Sequence, residues 1–414
     1  MLSPETALAR ILAAVSRQEA PATEPVALRE ASWRTLAEDL LTPEDVPPFA
    51  VATMDGYALR AADARAPGAR LPVAFEVFAG SASARSLPRG GCCRIFTGAV
   101  LPEGADAVEQ QEVVRRQGRA ARFGRAVPAG QFVRPRGSDL RAGEIALPAG
   151  TVLDPPAVAL AAKLGRVVLR VRRRPRAVIL PTGDELVPPG RTPRPGQIRE
   201  SNGLALAAAV REAGGEARVL PPVRDRAGSL ERALRAVRGA DLLLTVGGVS
   251  VGERDLVRGA LARAGARLHF WRVAIRPGKP FTFGVWDRMP VFGLPGNPAS
   301  ALVTFEVFVR PALRALQGLA GDGRLHAWVR LDRDHEKPRD LTVFVRARLG
   351  PRPRGPGLPW AEPLRTQKSG DLSSLLGADA LVVLPAGKAR FRRGQAAVAR
   401  VLRAPARGGL PHDP

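Results

Sequence analysis

At 414 residues, with 45% hydrophobic and 25% charged content, the chain is long enough for several packed domains and too apolar to be disordered. No apolar run approaches the roughly 18 residues of a membrane-spanning helix, and Ser3-Pro4-Glu5 reads as a helix N-cap, N1 proline and first-turn acid rather than as a signal peptide. A cytoplasmic protein with no membrane partner is the expectation, and the adjacent Cys92 and Cys93 with four scattered histidines argue against a disulfide framework or a zinc site.

Lys and Arg outnumber Asp and Glu 63 to 39, a net charge of +24 that raises nucleic-acid binding as a reading. Only five of those 63 cations are lysine (Lys163, Lys279, Lys337, Lys368 and Lys388), and asparagine occurs only at Asn202 and Asn297. Residues with AT-rich codons are scarce throughout, so the charge reads as compositional drift toward arginine. No aromatic-basic platform accompanies it, and nucleic acid is not an expected partner. A basic surface still steers an anionic substrate toward a cleft.

Residues 48–140 are rich in Gly and Pro, with short apolar runs at 73–78 and 105–108, which predicts an inserted β-rich module. From 174 to about 320 the pattern changes to alternating strands and helices. Strands are predicted at 177–180, 216–220, 241–246, 268–275 and 291–294, and helices at 202–213, 230–237, 256–264 and 298–316. The fold class expected is α/β multidomain, with a central doubly wound α/β domain. Such domains bind ligands at loops beyond the carboxyl ends of their strands. Short alternating segments at 327–331, 341–349, 380–384 and 396–402 predict a small C-terminal barrel or sandwich, with a Pro, Gly and Arg loop between 350 and 359.

Four loops of the α/β segment carry candidate chemistry. PTGDEL at 181–186 follows a strand directly, and adjacent Asp184 and Glu185 offer the hard oxygen ligands magnesium takes; a solvated turn is the plainer reading. TVGGVSVGERD at 245–255 runs from strand through glycines to helix, so backbone N–H groups at Gly247 and Gly248, the Ser250 hydroxyl and a helix N-terminus can meet a phosphate, with Asp255 a second carboxylate. It is neither a Walker loop nor a GxGxxG fingerprint. RPGKP at 276–280 holds Arg276 and Lys279 three residues apart in a stiff frame suited to a tetrahedral dianion. GLPGNPAS at 293–300 fits a helix start, with Asn297 as N-cap, Pro298 at N1 and Ser300 at N3. On one face of one sheet, Gly183, Gly247, Gly248, Gly296 and Asn297 then become candidate substrate-binding positions, and the four loops favour a nucleotide or phosphoanhydride site. Elsewhere, ATMDGYA at 52–58 and FTGAVLPEGADAV at 96–108 have the density of functional turns without an assignable chemistry, Asp139 among arginines reads as an ion-paired surface acid, and QKSGD at 367–371 offers hydroxyl and amine donors, with a plain loop as the alternative.

Taken in order, MDGYA, TGAVLPEGADAV, GSDL, PTGDEL, SNG, GGVSVGERD, RPGKPFTFG, GLPGNPAS and QKSGDLSSL resemble the MoeA family, the molybdopterin molybdenumtransferases related to gephyrin and plant Cnx E domains. The resemblance implies a MogA-like α/β domain at 174–323, a domain made of 1–47 plus 141–173, an inserted domain at 48–140, a C-terminal β-barrel at 324–404 and a tail at 405–414. It also implies a homodimer with an active cleft shared between subunits, and a contact with the molybdopterin adenylyltransferase. The implied reaction joins molybdate to molybdopterin adenylate in the presence of Mg2+ and releases AMP. Residue by residue, the family's catalytic positions match Asp55, Thr97, Asp139, Glu185, Asp225, Asp255 and Lys279, with Glu185 and Asp255 as metal ligands. Positions for molybdate or substrate phosphate match Ser250, Arg276, Lys279, Ser300, Arg346 and Ser369. Arg276 stands where the family commonly has lysine, and a planar guanidinium is not equivalent to an ammonium. The alternatives are the adenylyltransferase itself, which resembles only 174–320, and a basic scaffold protein.

Overall fold

Ser3 caps the first helix, Pro4–Val15, by accepting a hydrogen bond from the Thr6 amide at 3.2 Å, and the helix buries Ala7, Ile11 and Val15 at i, i+4, i+8 spacing. In the computed structural model, which describes all residues except 18–21, 82–84, 225, 238, 249–255, 351–356 and 405–414, that face packs into the core of the α/β domain. The chain divides into two compact units, Met1–Glu24 with Val171–Pro414, and Pro25–Arg170.

The α/β domain is built on a six-stranded sheet in the order Glu216–Val219, Arg176–Pro181, Leu242–Val246, Met289–Leu294, Thr282–Trp286, Arg267–Phe270. The first four strands are parallel and the last two antiparallel. Leu242–Val246 is buried on both faces and reads LLLTV, the continuous apolar run that a central parallel strand needs. Its alternate residues divide between two cores. Leu242, Leu244 and Val246 join Ala177, Ile179 and helices Pro4–Val15 and Asn202–Glu212 on one face, while Leu243 joins Val178, Leu180 and helices Ala227–Arg235 and Leu256–Arg263 on the other. The domain is therefore doubly wound. The first core is rich in phenylalanine, with Phe281 stacked on Phe308 at 4.5 Å, each ring contributing roughly 1.5–3 kcal/mol by its burial.

Two predicted elements differ. The strand expected at 268–275 is two strands, because Phe270 and Val273 are both buried and three residues apart, which breaks the period of two around exposed Trp271. The second piece, Ile275–Arg276, pairs in parallel with the barrel strand Thr342–Gly350. A strand not predicted, Thr282–Trp286, forms a hairpin with Met289–Leu294 across Asp287 and Arg288, whose φ of 45° and 66° suit the twist of a two-residue turn. The helix expected at 298–316 runs as Pro298–Thr304 and Arg310–Ala315 with a π-helical turn, Phe305–Val309, between them.

In the C-terminal region five strands close on themselves. Thr342–Gly350 pairs with Trp360–Pro363 and with Ala380–Leu384, and the circuit runs through His326–Leu331 and Ala396–Val401. This is the small β-barrel anticipated. Along Thr342–Gly350, Val343, Val345, Ala347 and Leu349 fill the barrel, while Phe344 turns outward into the α/β core. The expected loop between 350 and 359 lies largely outside the described residues.

The Pro25–Arg170 unit holds the β-rich module as a six-stranded sheet ordered Ala107–Gln110, Gly56–Leu59, Cys92–Ile95, Arg70–Val77, Ala120–Phe123, Val114–Gln117. Cys92 and Cys93 are free and buried there, and burial pushes both thiols up to about 12. Elsewhere in the unit, Leu40–Leu41 pairs with Ile145–Leu147, and Asp154 caps helix Pro155–Lys163 through the Ala157 amide at 3.0 Å. No helix among the described residues is long and apolar enough to cross a membrane.

A buried ionic cluster fastens the barrel to the α/β domain. Glu306, in the π-helical turn, pairs with Arg310 at 3.0 Å and Arg324 at 2.8 Å, and its carbonyl accepts from Arg400 of the barrel. Glu212, half-exposed, also pairs with Arg310 at 3.0 Å and Arg324 at 2.7 Å, so truncating Glu306 leaves two buried cations with only that one carboxylate. Glu306→Ala is expected to lower unfolding stability by about 3 kcal/mol in urea titration, whereas truncating the exposed Glu30 of the Arg29–Glu30 pair is expected to cost less than about 1 kcal/mol.

Candidate functional site

Three strands of the α/β sheet, Arg176–Pro181, Leu242–Val246 and Met289–Leu294, end side by side, and their following loops touch through backbone. The Thr182 amide donates to Val246 O at 2.9 Å and the Gly247 amide to Leu294 O at 3.1 Å. Gly247 has φ +89°, and a Cβ there would lie 2.4 Å from Thr182 O, so no other residue fits this close approach. Beside it the Glu185 carboxylate folds back over Gly183, where a Cβ would come within 2.6 Å of both its oxygens. Glu185 is exposed, so its oxygens face the cleft. That cleft has a volume of about 540 Å³ and is lined by Gly183, Glu185, Asn202, Gly247, Gly248 and Gly296, among others.

A second cleft of about 820 Å³ adjoins it, sharing Pro280, Pro295, Asn297 and Gly370 as common walls. Its lining includes Arg276, Lys279, Ser300, Lys368 and Ser369. Arg276 and Lys279 come from the stretch that leaves the α/β sheet, with the Arg276–Pro277 peptide cis. Lys368 and Ser369 come from the barrel side. Three exposed cations and two hydroxyls thus line one cavity, which suits a small multiply charged oxyanion.

Asn297 fastens the two halves. It occupies the N-cap position, but its side chain does not cap the helix; Nδ2 donates instead to Ser369 Oγ at 3.1 Å. The Ala299 amide donates to Ser369 O at 3.0 Å, so one of the helix's orphan N–H groups is already satisfied by the barrel loop. The expectation that Asn297 caps this helix is corrected accordingly. Asn202 braces the same loop by donating to Gly296 O at 2.6 Å.

Arg346 is placed differently from the sequence expectation. It is fully buried, does not line the cleft, and donates from Nη2 to Lys368 O at 3.2 Å, beneath the loop that carries Lys368 and Ser369. Burial in strand Thr342–Gly350 lowers the pKa of its guanidinium, with Asp371 acting in the opposite direction. Gln367, given no role from sequence, locks the same loop by accepting from the Arg346 amide at 3.0 Å and donating to Arg346 O at 2.9 Å. Lys368 was visible within QKSGD as an amine donor, but only the fold sets it beside Arg276 and Lys279.

Asp55 and Thr97 meet in the other unit. The Thr97 amide and hydroxyl both donate to Asp55 Oδ1, at 2.8 and 2.7 Å, and the amide bond is the largest influence holding that carboxyl below its ordinary range. Asp139 is engaged elsewhere, ion-paired to Arg134 and to Lys163 at 3.2 Å, and the Arg134 hydrogen bond leads in depressing its pKa. Asp225, Ser250 and Asp255 lie outside the described residues. Among the described residues no group of three or more His, Cys, Asp or Glu side chains can hold a metal ion. A metal at Glu185 therefore fits only as one that takes a carboxylate and completes its shell from substrate oxygens and water, as magnesium does beside phosphates.

Comparison with known proteins matches this layout part by part. Family models match residues 2–165 (MoeA N-terminal region, domain I and II), 178–315 ("Probable molybdopterin binding domain") and 329–399 (MoeA C-terminal region, domain IV). The molybdopterin molybdenumtransferase of Synechococcus elongatus is 37% identical over 398 residues, covering 94% of this chain and 96% of that protein. That of Bacillus subtilis is 35% identical over 385 residues, covering 90% and 88%. The solved structure of a molybdopterin biosynthesis MoeA protein from Pyrococcus horikoshii OT3 superposes with a TM-score of 0.79 at 30% identity, over 97% of this chain and 100% of that one. With agreement along nearly the whole length in both sequence and fold, the chain belongs to the MoeA family.

Proposed function

We infer that this chain is a molybdopterin molybdenumtransferase, which inserts molybdate into adenylated molybdopterin, and that it does so with magnesium and with release of AMP. The observation that carries the reading is the paired cleft, one half lined by Arg276, Lys279 and Lys368 and the other holding Glu185 over Gly183, with Asn297 in the wall between them. Molybdate, a tetrahedral dianion, takes the cationic half, oriented by the Ser300 and Ser369 hydroxyls. The phosphoanhydride of the adenylate lies toward Glu185 and the Gly247–Gly248 backbone. Glu185, with Asp255 as a second carboxylate, would hold magnesium, which would supply charge neutralisation at the phosphates. Fixed cations and hydroxyls do the remaining work, because phosphoryl chemistry asks mainly for positioning and charge stabilisation. A water or molybdate oxygen attacks phosphorus, the phosphoanhydride bond breaks with release of AMP, and the dithiolene sulfurs take the metal as molybdate oxygen, protonated, leaves as water.

The four-part division into 1–47 plus 141–173, 48–140, 174–323 and 324–404 is proposed on the same resemblance. A homodimer is proposed through the Pro25–Arg170 unit, where Trp33, Leu41, Ile145, Val167 and Val168 are all exposed and Leu41 lies opposite Ile145 across a two-stranded ribbon.

Three outcomes test these proposals. Purified protein given molybdopterin adenylate should release AMP only when both molybdate and magnesium are present, and Glu185→Ala should slow release by about a hundredfold; release indifferent to molybdate, or adenylation of the pterin from ATP, would count against the reading. Arg276→Lys should change the molybdate KM more than kcat, since it alters the geometry and not the charge of the oxyanion site. By size-exclusion chromatography with light scattering, the wild type should have twice the mass of the chain, and Leu41→Asp with Ile145→Asp should shift it to the monomer.

A further inference from the structure

Glu200 is a buried carboxylate that none of the roles above uses. It is 6% exposed, yet it lines the 540 Å³ cleft together with Glu185. A short parallel ladder, Leu186–Val187 with Ile198–Arg199, carries both acids. The Ile198 amide donates to Glu185 O at 2.9 Å, and the Glu200 amide to Val187 O at 2.8 Å. Glu185 precedes the first strand and Glu200 follows the second, so the two residues sit at opposite ends of one ladder.

Part of the Glu200 side chain is accounted for locally. Oε1 accepts from the Gly203 amide at 2.6 Å, in the first turn of helix Asn202–Glu212, where the Ser201 side chain makes no cap. Capping alone does not ask for burial, since an exposed carboxylate does it as well. Oε2 lies against Gly203, where a Cβ would come within 3.0 Å both of it and of the Pro181 ring, another part of the cleft lining. A residue without a side chain leaves room for the carboxylate there. Among the described residues no cation pairs with Glu200, in a chain of 63 basic residues. A buried carboxylate is costly until donors satisfy it.

A ligand that brings two N–H donors on one edge supplies them. The 2-amino and N3–H groups of a pterin point the same way and match a carboxylate as a guanidinium fork does, and each carboxylate oxygen has a second acceptor site beyond any bond it already makes. Adenine has no such edge, because its amino group is flanked by the acceptors N1 and N7. We propose that Glu200 is a substrate-binding residue that reads the pterin of the adenylated substrate by accepting hydrogen bonds from its 2-amino and N3–H groups. The inference rests on the functional reading above and deepens it: the heterocycle takes the Glu200 end of the cleft and the phosphates the Glu185 end.

Titration of the full chain with 6-hydroxymethylpterin, 6-hydroxymethyllumazine and AMP tests this without turnover. Lumazine carries a carbonyl where pterin carries the 2-amino group, so the wild type should bind it at least about tenfold more weakly than the pterin. Glu200→Gln keeps an oxygen for the Gly203 amide and should raise the pterin Kd by about tenfold or more, shrink the pterin preference over lumazine, and leave the AMP Kd within about twofold. The magnesium requirement of AMP release should not move. A wild type that binds no pterin or does not distinguish it from lumazine, an unchanged pterin Kd in Glu200→Gln, a loss confined to AMP, or a raised magnesium requirement overturns the proposal. The lumazine comparison uses the unaltered protein, so it stands even if the variant fails to fold. Absence of molybdate-dependent AMP release by the wild type instead overturns the functional reading, which the titrations leave separately measurable.

Discussion

Two residue pairs, Ile275 with Thr342 and Arg276 with Val343, join the α/β sheet's outgoing chain to the barrel. The cation-lined cleft depends on that short parallel ladder. Arg276 and Lys279 belong to the α/β chain, whereas Lys368 and Ser369 belong to a loop of the barrel. Neither half alone assembles three cations around one cavity. The Asn297–Ser369 and Ala299–Ser369 hydrogen bonds close the same seam from the other side, and the Glu306–Arg310–Arg324 cluster with Arg400 secures it at a distance from the cleft. Assembling this cleft and packing the domains are one problem, since three like charges brought to one cavity have to be held against their own repulsion.

Much of the α/β domain was legible because its signals are local. Strand runs such as 177–180 and 242–246 are apolar on both faces, and glycine loops follow their carboxyl ends, so the doubly wound class and the position of the Glu185 and Gly247 loops could be read directly. What escaped was non-local. Thr282–Trp286 sits inside a motif that looks like a binding loop, and only its partner Met289–Leu294 makes it a strand. The break at Trp271 depends on Ile275 finding the barrel. Arg346 reads as a ligand-binding cation, yet its place on the strand sets it beneath the Gln367–Lys368 loop, which sequence spacing cannot reveal. Asn297 was correctly located at a helix start, and its side chain went to Ser369 instead, because a partner from another domain competed with the local cap.

Composition obscured the site in one further way. With 63 basic residues, arginine is nearly uninformative as a pointer. The few lysines are more telling, since two of the five, Lys279 and Lys368, line the oxyanion cleft. A compact ammonium can approach a small tetrahedral ion from more directions than a planar guanidinium can. Arg276 stands among them as the departure, and the cleft combines both kinds of cation.

Arg346 carries a consequence of its own. The exposed charges of Arg276, Lys279 and Lys368 are open to solvent ions, so their pull on an anion falls as ionic strength rises. Arg346 lies where counter-ions do not reach it, with Nε and Nη1 buried and unsatisfied among the described residues. Its field on the loop above is therefore largely independent of salt. The positive charge around the cleft is thus of two kinds, exposed groups whose field weakens in a crowded electrolyte and one group beneath the loop whose field does not.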